Sequence, residues 1–351
     1  MGLADIIIKF ILVVIIFAIS LLIALYSTYA ERKVAAFFQD RLGPNRAGPF
    51  GIFQPFADGG KMFLKEEIIP ASASKFLFIA GPSLSIFTAC IGSAVIPWGQ
   101  QLTIGGHVID LQVADINVGV LYILGVVSLG VYGVMIGGWA SNNKYSLLGA
   151  IRAASQNISY EISMGLAIIA LLMVTGTLSL KEIAVQQHGF WHGGMPWNGG
   201  WFTWNFFKQP LGFLLFIVCA FAETNRTPFD LPECETELIG GYHTEYSSMK
   251  LGFYLFSEYI NMFISGAVMA TLYFGGYNFP GMHYFSGNVL AILGVVVLFA
   301  KIFFFIFFFM WVRWTIPRFR YDQLMDLGWK VLIPLAIANI VITGIFITFF
   351  K

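Results

Sequence analysis

The sequence predicts an all-α polytopic membrane protein, with eight transmembrane helices plus an amphipathic interfacial helix between the first and second. Three observations carry that prediction. Of 351 residues, 58% are hydrophobic and only 11% charged, against about 25% charged in an ordinary soluble domain. Eight apolar stretches approach or reach the roughly 17–25 residues needed to cross a bilayer. No polar stretch is long enough to fold separately, so one integral membrane domain over residues 1–351 is expected.

The apolar stretches run over 5–28, 76–97, 118–139, 158–177, 209–224, 250–274, 288–312 and 330–350. The first is too long for the apolar core of a signal peptide, roughly 7–15 residues, and no small-residue cleavage site follows it, so it is expected to remain as a helix. The fifth is short as drawn, and a full crossing needs it to begin near Phe202. Between the first two, GIFQPFADGGKMFLKEE (51–67) mixes Phe53, Phe56, Met62 and Phe63 with charge. That pattern suits a short helix lying at the interface, weakened by the Gly59–Gly60 pair.

Orientation follows from the basic residues. Four alternate connections, 29–75, 140–157, 225–249 and 313–329, hold with their helix ends 15 of the 20 Lys and Arg. These connections are expected in the cytoplasm, with both termini outside. An outer connection carries WHGGMPWNGGWFTW, whose Trp191, Trp197, Trp201 and Trp204 suit the headgroup layer.

Acid within apolar helices is the sharpest functional signal. Glu161, Glu223 and Glu258 lie in or beside membrane stretches, and Lys301 lies inside another. A carboxylate there costs several kcal/mol unless it meets protein, water or a partner charge. Lipid-facing anchors have no use for such groups; channels, transporters and proton-coupled machines do. Arg152, Gln156 and Ser159 share helical spacing with Glu161, leaving two roles open for it: an ion pair with Arg152, or a proton relay. Glu258 and Lys301 either pair with each other or belong to a hydrated path.

The cytoplasmic connections carry both signs of charge. Glu31, Arg32 and Lys33 follow the first stretch; RLGPNRAGPFG contains Arg41 and Arg46 on a path fixed by prolines and glycines; Asp58 follows. FAETNRTPFDLPECETELIGGYHTEY holds Glu223, Arg226, Asp230, Glu233, Glu235, Glu237 and Glu245, with His243 two residues from Glu245. Crowded carboxylates titrate as a group. WTIPRFRYDQLMDLGWK, with Arg318, Arg320, Asp322 and Asp326, reads as a contact loop for another protein.

No phosphate loop, dinucleotide fingerprint or cluster-ligand spacing is present. Cys90, Cys219 and Cys234 are scattered and read as packing or loop residues, and the histidines form no metal-ligand constellation.

Four segments, AERKVAAFFQDRLGPNRAGPFGIFQPFADGGKMFLKE, IRAASQNISYEIS, AETNRTPFDLPECETELIGGYHTEY and RWTIPRFRYDQLMDLGWK, occur in an order that resembles the H-type membrane component of respiratory complex I, the NADH dehydrogenase subunit 1 family. The resemblance spans almost the whole chain. It implies a membrane component of a proton-pumping NADH:quinone oxidoreductase in a bacterial plasma membrane. Proteins of this kind hold no redox cofactor themselves. Quinone is the substrate, while flavin and iron–sulfur clusters sit in partner subunits, among them the peripheral-arm subunit carrying the terminal cluster and quinone headgroup site. Other membrane subunits and lipids are the remaining partners; nucleic acid is not expected.

By the same resemblance, Glu31, Arg32, Arg41, Arg46 and Asp58 map to the quinone chamber. Glu161, Glu223, Arg226, Asp230, Glu233, Glu235 and Glu237 map to the proton-coupling path, with Arg226 expected to pair with the acids around it. Glu245, Glu258 and Lys301 stand at the margin of that path. Two other classes remain open from sequence: the membrane component of a related energy-converting hydrogenase, and a stand-alone ion-coupled transporter.

Overall fold

The structure, a computed structural model, describes residues 3–104, 107–187, 203–232 and 235–350. It is all-α apart from one small hairpin. Helices α1 (Leu3–Phe38), α2 (Gln54–Leu64) and α3 (Lys75–Gly92) come first. Strands β1 (Gln101–Ile104) and β2 (His107–Asp110) then pair antiparallel, Gln101 opposite Asp110 and Ile104 opposite His107. Helices α4 (Gly119–Ala140), α5 (Lys144–Thr175) and α6 (Leu180–Gln186) follow, then α7 (Asn205–Lys208), α8 (Pro210–Glu223) and α9 (Glu235–Leu238). The chain closes with α10 (Ser248–Tyr273), α11 (Gly287–Thr315), α12 (Tyr321–Asp326) and α13 (Ile333–Phe350). A wide π-type turn over Leu327–Leu332 joins α12 to α13 as one continuous rod.

Among the described residues, seven helical rods are long and apolar enough to cross a membrane. They contain seven of the eight predicted stretches. The remaining stretch forms α8, which has 14 residues and a length of about 21 Å, short of the ~30 Å hydrocarbon core. Pro210 opens it, where a missing N–H costs nothing.

Two helices outrun their apolar stretches. α1 has 36 residues and α5 has 32, about 54 and 48 Å. Both therefore carry charged turns past the apolar slab as helix. Glu31, Arg32 and Lys33 thus sit within α1 rather than in a loop, and Arg152 lies two turns inside α5. The α5 cap is local chemistry: the Asn143 side chain accepts from the Tyr145 N–H at 2.9 Å. At the other end Gly176 adopts φ 70° and stops α5.

α10 is the central helix, with Ile260, Phe263, Ala267 and Ala270 fully buried. α3 and α4 approach closely through glycine. A Cβ on Gly81 would lie 2.8 Å from the Gly137 Cα, and one on Gly137 only 1.8 Å from the Tyr254 hydroxyl.

The bundle has two chemically distinct ends. At one, the hairpin meets the start of α11 through Thr103 and Asn288 (2.8 Å) and meets α6 through Asp110 and Lys181. The amino end of α1 is anchored there by Lys9 on the Gln112 carbonyl at 2.8 Å. At the other end the charged connections interlock: Ser74 N–H donates to Ala140 O, Asn143 to Glu245, Ile68 N–H to Ser247, and Phe319 N–H to Pro228 O.

Candidate functional site

The charged end encloses a cavity of about 300 Å³ bounded by α1, α2 and α10, at the small end of ligand-site volumes. Its wall is amphipathic: Leu25, Met62, Leu255 and Phe256 supply apolar surface, and Glu31, Arg32, Arg41, Asp58 and Tyr259 supply polar groups.

Glu31 anchors that wall. It is 6% exposed and accepts from Arg313 Nη1 at 2.6 Å, Tyr259 Oη at 2.7 Å and Arg226 Nη1 at 3.2 Å. Arg226, also buried, lies with its guanidinium 4.2 Å from the Tyr259 ring centroid. This buried carboxylate has a donor on each oxygen and two guanidiniums to balance its charge. Removing one partner from such a group leaves uncompensated buried charge.

Above Glu31, Arg32 donates to Asp58 at 2.6 Å, Gln54 donates to the same carboxylate at 2.9 Å, and Lys61 lies 3.8 Å away. This second cluster ties α1 to α2 in a more exposed setting. Arg41 reaches the cavity and donates to Gln39 at 2.7 Å, whereas Arg46 is exposed on the outer surface of its loop.

Among the described residues, Glu223, Asp230 and Glu237 of the 223–237 segment turn to different partners. Glu223 ends α8, close enough to Glu161 of α5 for the two charges to interact. Ser128 of α4 donates to Glu161. Among the described residues neither carboxylate has a Lys or Arg at ion-pair distance. A small cavity of about 30 Å³ lies against Glu223, Thr224, Asn261 and Ser265, with the rest of its wall apolar. That is room for about one water molecule.

Asp230 is turned elsewhere, buried and paired with Arg318 at 2.9 Å. Glu237 is a surface residue bound to Arg152 at 2.6 Å, so Arg152 is not the partner of Glu161. Glu235 opens α9. Glu233 and Cys234 lie outside the described residues, as do Trp191, Trp197, Trp201, His188 and His192.

Arg226 reaches beyond its own segment. The resemblance has it pairing with the acids around it; among the described residues it makes a salt bridge to Glu31 of the cavity wall, while Glu233 of its own segment lies outside the described residues. The chain path allows that reach. Arg226 N–H turns back onto Phe221 O at 3.2 Å, and buried Gln156 of α5 donates to Ala222 O at 2.7 Å and Phe229 O at 2.8 Å. The segment is clamped against α5, with Glu223 on one side and Arg226 reaching α1 on the other.

The marginal residues separate as well. Lys301 gives its three N–H groups to the carbonyls of Phe274, Gly276 and Asn278 at 2.6–2.7 Å, and its ammonium lies 4.7 Å from the Trp204 ring. It therefore closes the carboxyl end of α10 near the hairpin end and does not pair with Glu258. Glu258 is buried and accepts from Tyr242 at 3.1 Å. Glu245 accepts from Asn143 at 2.5 Å.

Sequence reasoning did not pick out Tyr259 or Ser128, and read Arg313 only as a topology signal. Tyr259 and Glu31 are 228 positions apart. No local spacing encodes that contact.

Comparison with known proteins identifies the family of the chain. Residues 10–344 match the NADH dehydrogenase family. The chain is 67% identical over 344 residues to the NADH-quinone oxidoreductase H-type chain numbered 1 in Cytophaga hutchinsonii, covering 97% of each chain. It is 63% identical to the NADH-quinone oxidoreductase H-type chain of Flavobacterium psychrophilum, covering 99% of each. NADH-quinone oxidoreductase subunit 8 of Rhodothermus marinus is 46% identical, covering 94% of each. With near-complete coverage at such identity, and with acids buried in a polytopic helical bundle, the chain belongs to the NADH dehydrogenase family, as an H-type membrane component of NADH-quinone oxidoreductase.

Proposed function

We propose that this chain admits quinone into a proton-pumping NADH:quinone oxidoreductase and couples its reduction to proton translocation. The observation that carries the reading is the amphipathic cavity with Glu31 in its wall. A quinone has a long apolar tail and a polar ring, and the cavity offers apolar surface from α1, α2 and α10 beside Arg32, Arg41 and Tyr259. The relatives' names favour this reading over a hydrogenase component or a stand-alone transporter.

The coupling route follows from Arg226. Quinone and quinol are both neutral, so reduction by two electrons changes the charge near Glu31 only through the two protons, which in this reading are drawn from groups around the cavity. That change acts on Arg226, which is held to Glu31. Arg226 lies three residues after Glu223, on a segment clamped by Gln156. Movement there alters the setting of Glu223, and with it the Glu161–Glu223 interaction. In this reading Asp230, Glu233, Glu235 and Glu237 shape the field around the segment.

We further place α8, with the Asn205–Lys208 turn before it, as an eighth membrane crossing, and α2 at the cytoplasmic interface. Both termini then face the periplasm. The charged end meets the peripheral-arm subunit that carries the terminal iron–sulfur cluster and the quinone headgroup site, and the whole chain acts as one membrane domain.

Glycine chemistry in α2 supplies the test. Gly59 lines the cavity, and a Cβ there meets nothing within 4 Å; Gly60 is equally open but lies off the cavity wall. Gly59→Leu and Gly60→Leu each improve helix propensity by roughly 1 kcal/mol. In assembled complex, Gly59→Leu is expected to raise the KM for quinone several-fold, on the order of one buried side chain's worth of lost space, with Gly60→Leu unchanged. Equal quinone kinetics in both variants sinks the cavity as the quinone path.

A further inference from the structure

The cavity of about 30 Å³ beside Glu223 lies between α4, α5, α8 and α10, and one polar residue on its wall has no part in the coupling route. Asn261 sits on α10 between Ile260 and Met262, both buried. Asn261, Ile264, Ser265, Val268 and Leu272 all line the cavity. Their steps of one, three and four place them on one face of the helix, so Asn261 belongs to the face that meets the cavity. From α8 the wall takes Phe216, Glu223 and Thr224.

An amide has two donors and an oxygen with two lone pairs, and inside a membrane span no bulk water reaches it. Among the described residues the Asn261 side chain makes no hydrogen bond. The two hydroxyls on the wall are out of play: Thr224 Oγ1 donates to Ala220 O at 3.0 Å, and Ser265 Oγ is sealed from open space. No polar atom of Asn261 or Glu223 is sealed in that way, and both residues are half-buried. These two side chains supply the polar surface of the cavity.

Volume selects the occupant. About 30 Å³ takes about one water molecule and nothing larger, and a buried water needs polar partners. The rest of the wall, including Val120, Leu124, Ile168 and Leu180, is apolar. A water is therefore held where Glu223 and Asn261 face the space.

We propose that Asn261 is a positioning residue for proton transfer, its amide and the Glu223 carboxyl group holding one water between them. This rests on the coupling role given to Glu223. The amide does not titrate, so it orients the water without competing for a proton. Protonated Glu223 donates to the water as the water releases one of its own protons toward Glu161. The water is regenerated, and one negative charge passes from Glu161 to Glu223.

The test pairs infrared difference spectra of the assembled complex, oxidised against NADH-reduced, with proton pumping in proteoliposomes. Wild type is expected to show a carboxyl band that Glu223→Gln removes, and a water O–H band that shifts in ¹⁸O-labelled water. Asn261→Leu keeps a similar volume and removes both polar atoms. It should erase the water band, move the carboxyl band to higher frequency and lower pumping about tenfold, the worth of one hydrogen bond in a barrier, with quinone reduction retained. Asn261→Ser keeps a donor and an acceptor and should restore the water band and most of the pumping, which a merely structural role would not predict. Wild-type pumping in Asn261→Leu while Glu223→Gln is inactive would overturn the role of Asn261 and leave that of Glu223 standing. Absence of the water band from the wild-type spectrum would overturn it whether or not the variants assemble. Full pumping in Glu223→Gln would remove the coupling role itself, and this proposal with it.

Discussion

Glu31 and Glu223 are both carboxylates carried by apolar helices, yet their surroundings are opposite. Glu31 is saturated by Arg226, Arg313 and Tyr259. Glu223 has no described cation at ion-pair distance; it lies within reach of the Glu161 charge and beside a cavity sized for about one water molecule. A saturated acid is fixed in charge and holds geometry; an acid beside another acid, without a cation, is poised to exchange a proton. The Arg226 segment joins the two; in the proposed coupling route the fixed cluster is the lever and the unsaturated pair is what it moves.

The largest effect expected from breaking this contrast is on the saturated side. Glu31→Ala leaves buried Arg226 and half-buried Arg313 without the carboxylate they share and should cost about 3–5 kcal/mol, read as a lowered thermal midpoint and reduced yield of assembled complex. A variant assembling and melting like wild type would show that Glu31 is not the anchor its contacts suggest.

On the other side the expectation reverses. Glu223→Gln keeps shape and loses no ion pair, so stability should shift by less than about 1 kcal/mol. Proton pumping in proteoliposomes should fall roughly a hundredfold or more, the usual scale for removing an essential proton-transfer group. Pumping lost with residual quinone reduction places Glu223 on the coupling path. Full pumping and reduction in equally assembled complex would make it a structural carboxylate and turn attention to Glu161.

The exposed pair sharpens the contrast further. Arg32 and Asp58 meet at 2.6 Å, but the Arg32 side chain is 51% exposed. A double-mutant cycle with Arg32→Ala and Asp58→Ala should give a coupling of under about 1 kcal/mol. A value near that of the Glu31 cluster would mean that partner subunits bury this pair.

The smallest effect concerns the hairpin end. Burial lowers the Lys181 pKa, but the Asp115 hydrogen bond and the charges of Asp110 and Asp115 outweigh it, leaving the ammonium above its usual 10.5. A raised lysine stabilises the fold fully below its unfolded value and stops doing so as pH rises through the folded value. The difference in thermal midpoint between wild type and Lys181→Met should therefore hold steady up to pH 10.5 and shrink above it. A difference that grows above that pH contradicts the assignment.

How much of this was legible in the chain differs from element to element. The apolar stretches announced the long helices because each is a local run, and hydropathy over some twenty residues decides burial in lipid. The motif RLGPNRAGPFG and the described part of AETNRTPFDLPECETE both lie at the charged end of the bundle, as their composition suggests. Helix ends were less legible: α1 continues through Glu31–Lys33 because a helix satisfies its own backbone and need not stop where apolarity does. The hairpin at Gln101–Asp110 had no strong turn signal beyond its glycines and was not foreseen.

By itself, then, the sequence determined that this is a helical membrane protein with acid inside it, and which segments carry the charge. Those properties are local: run length, composition and spacing act within one helix or loop. Tertiary structure alone decided the partners. It gave Arg226 to Glu31 across 195 positions, Arg152 to Glu237, Lys301 to backbone carbonyls rather than Glu258, and left Glu161 beside Glu223. An ion pair depends on distance in space, and only the packing of α1, α5, α8, α10 and α11 against one another sets which charges come within reach.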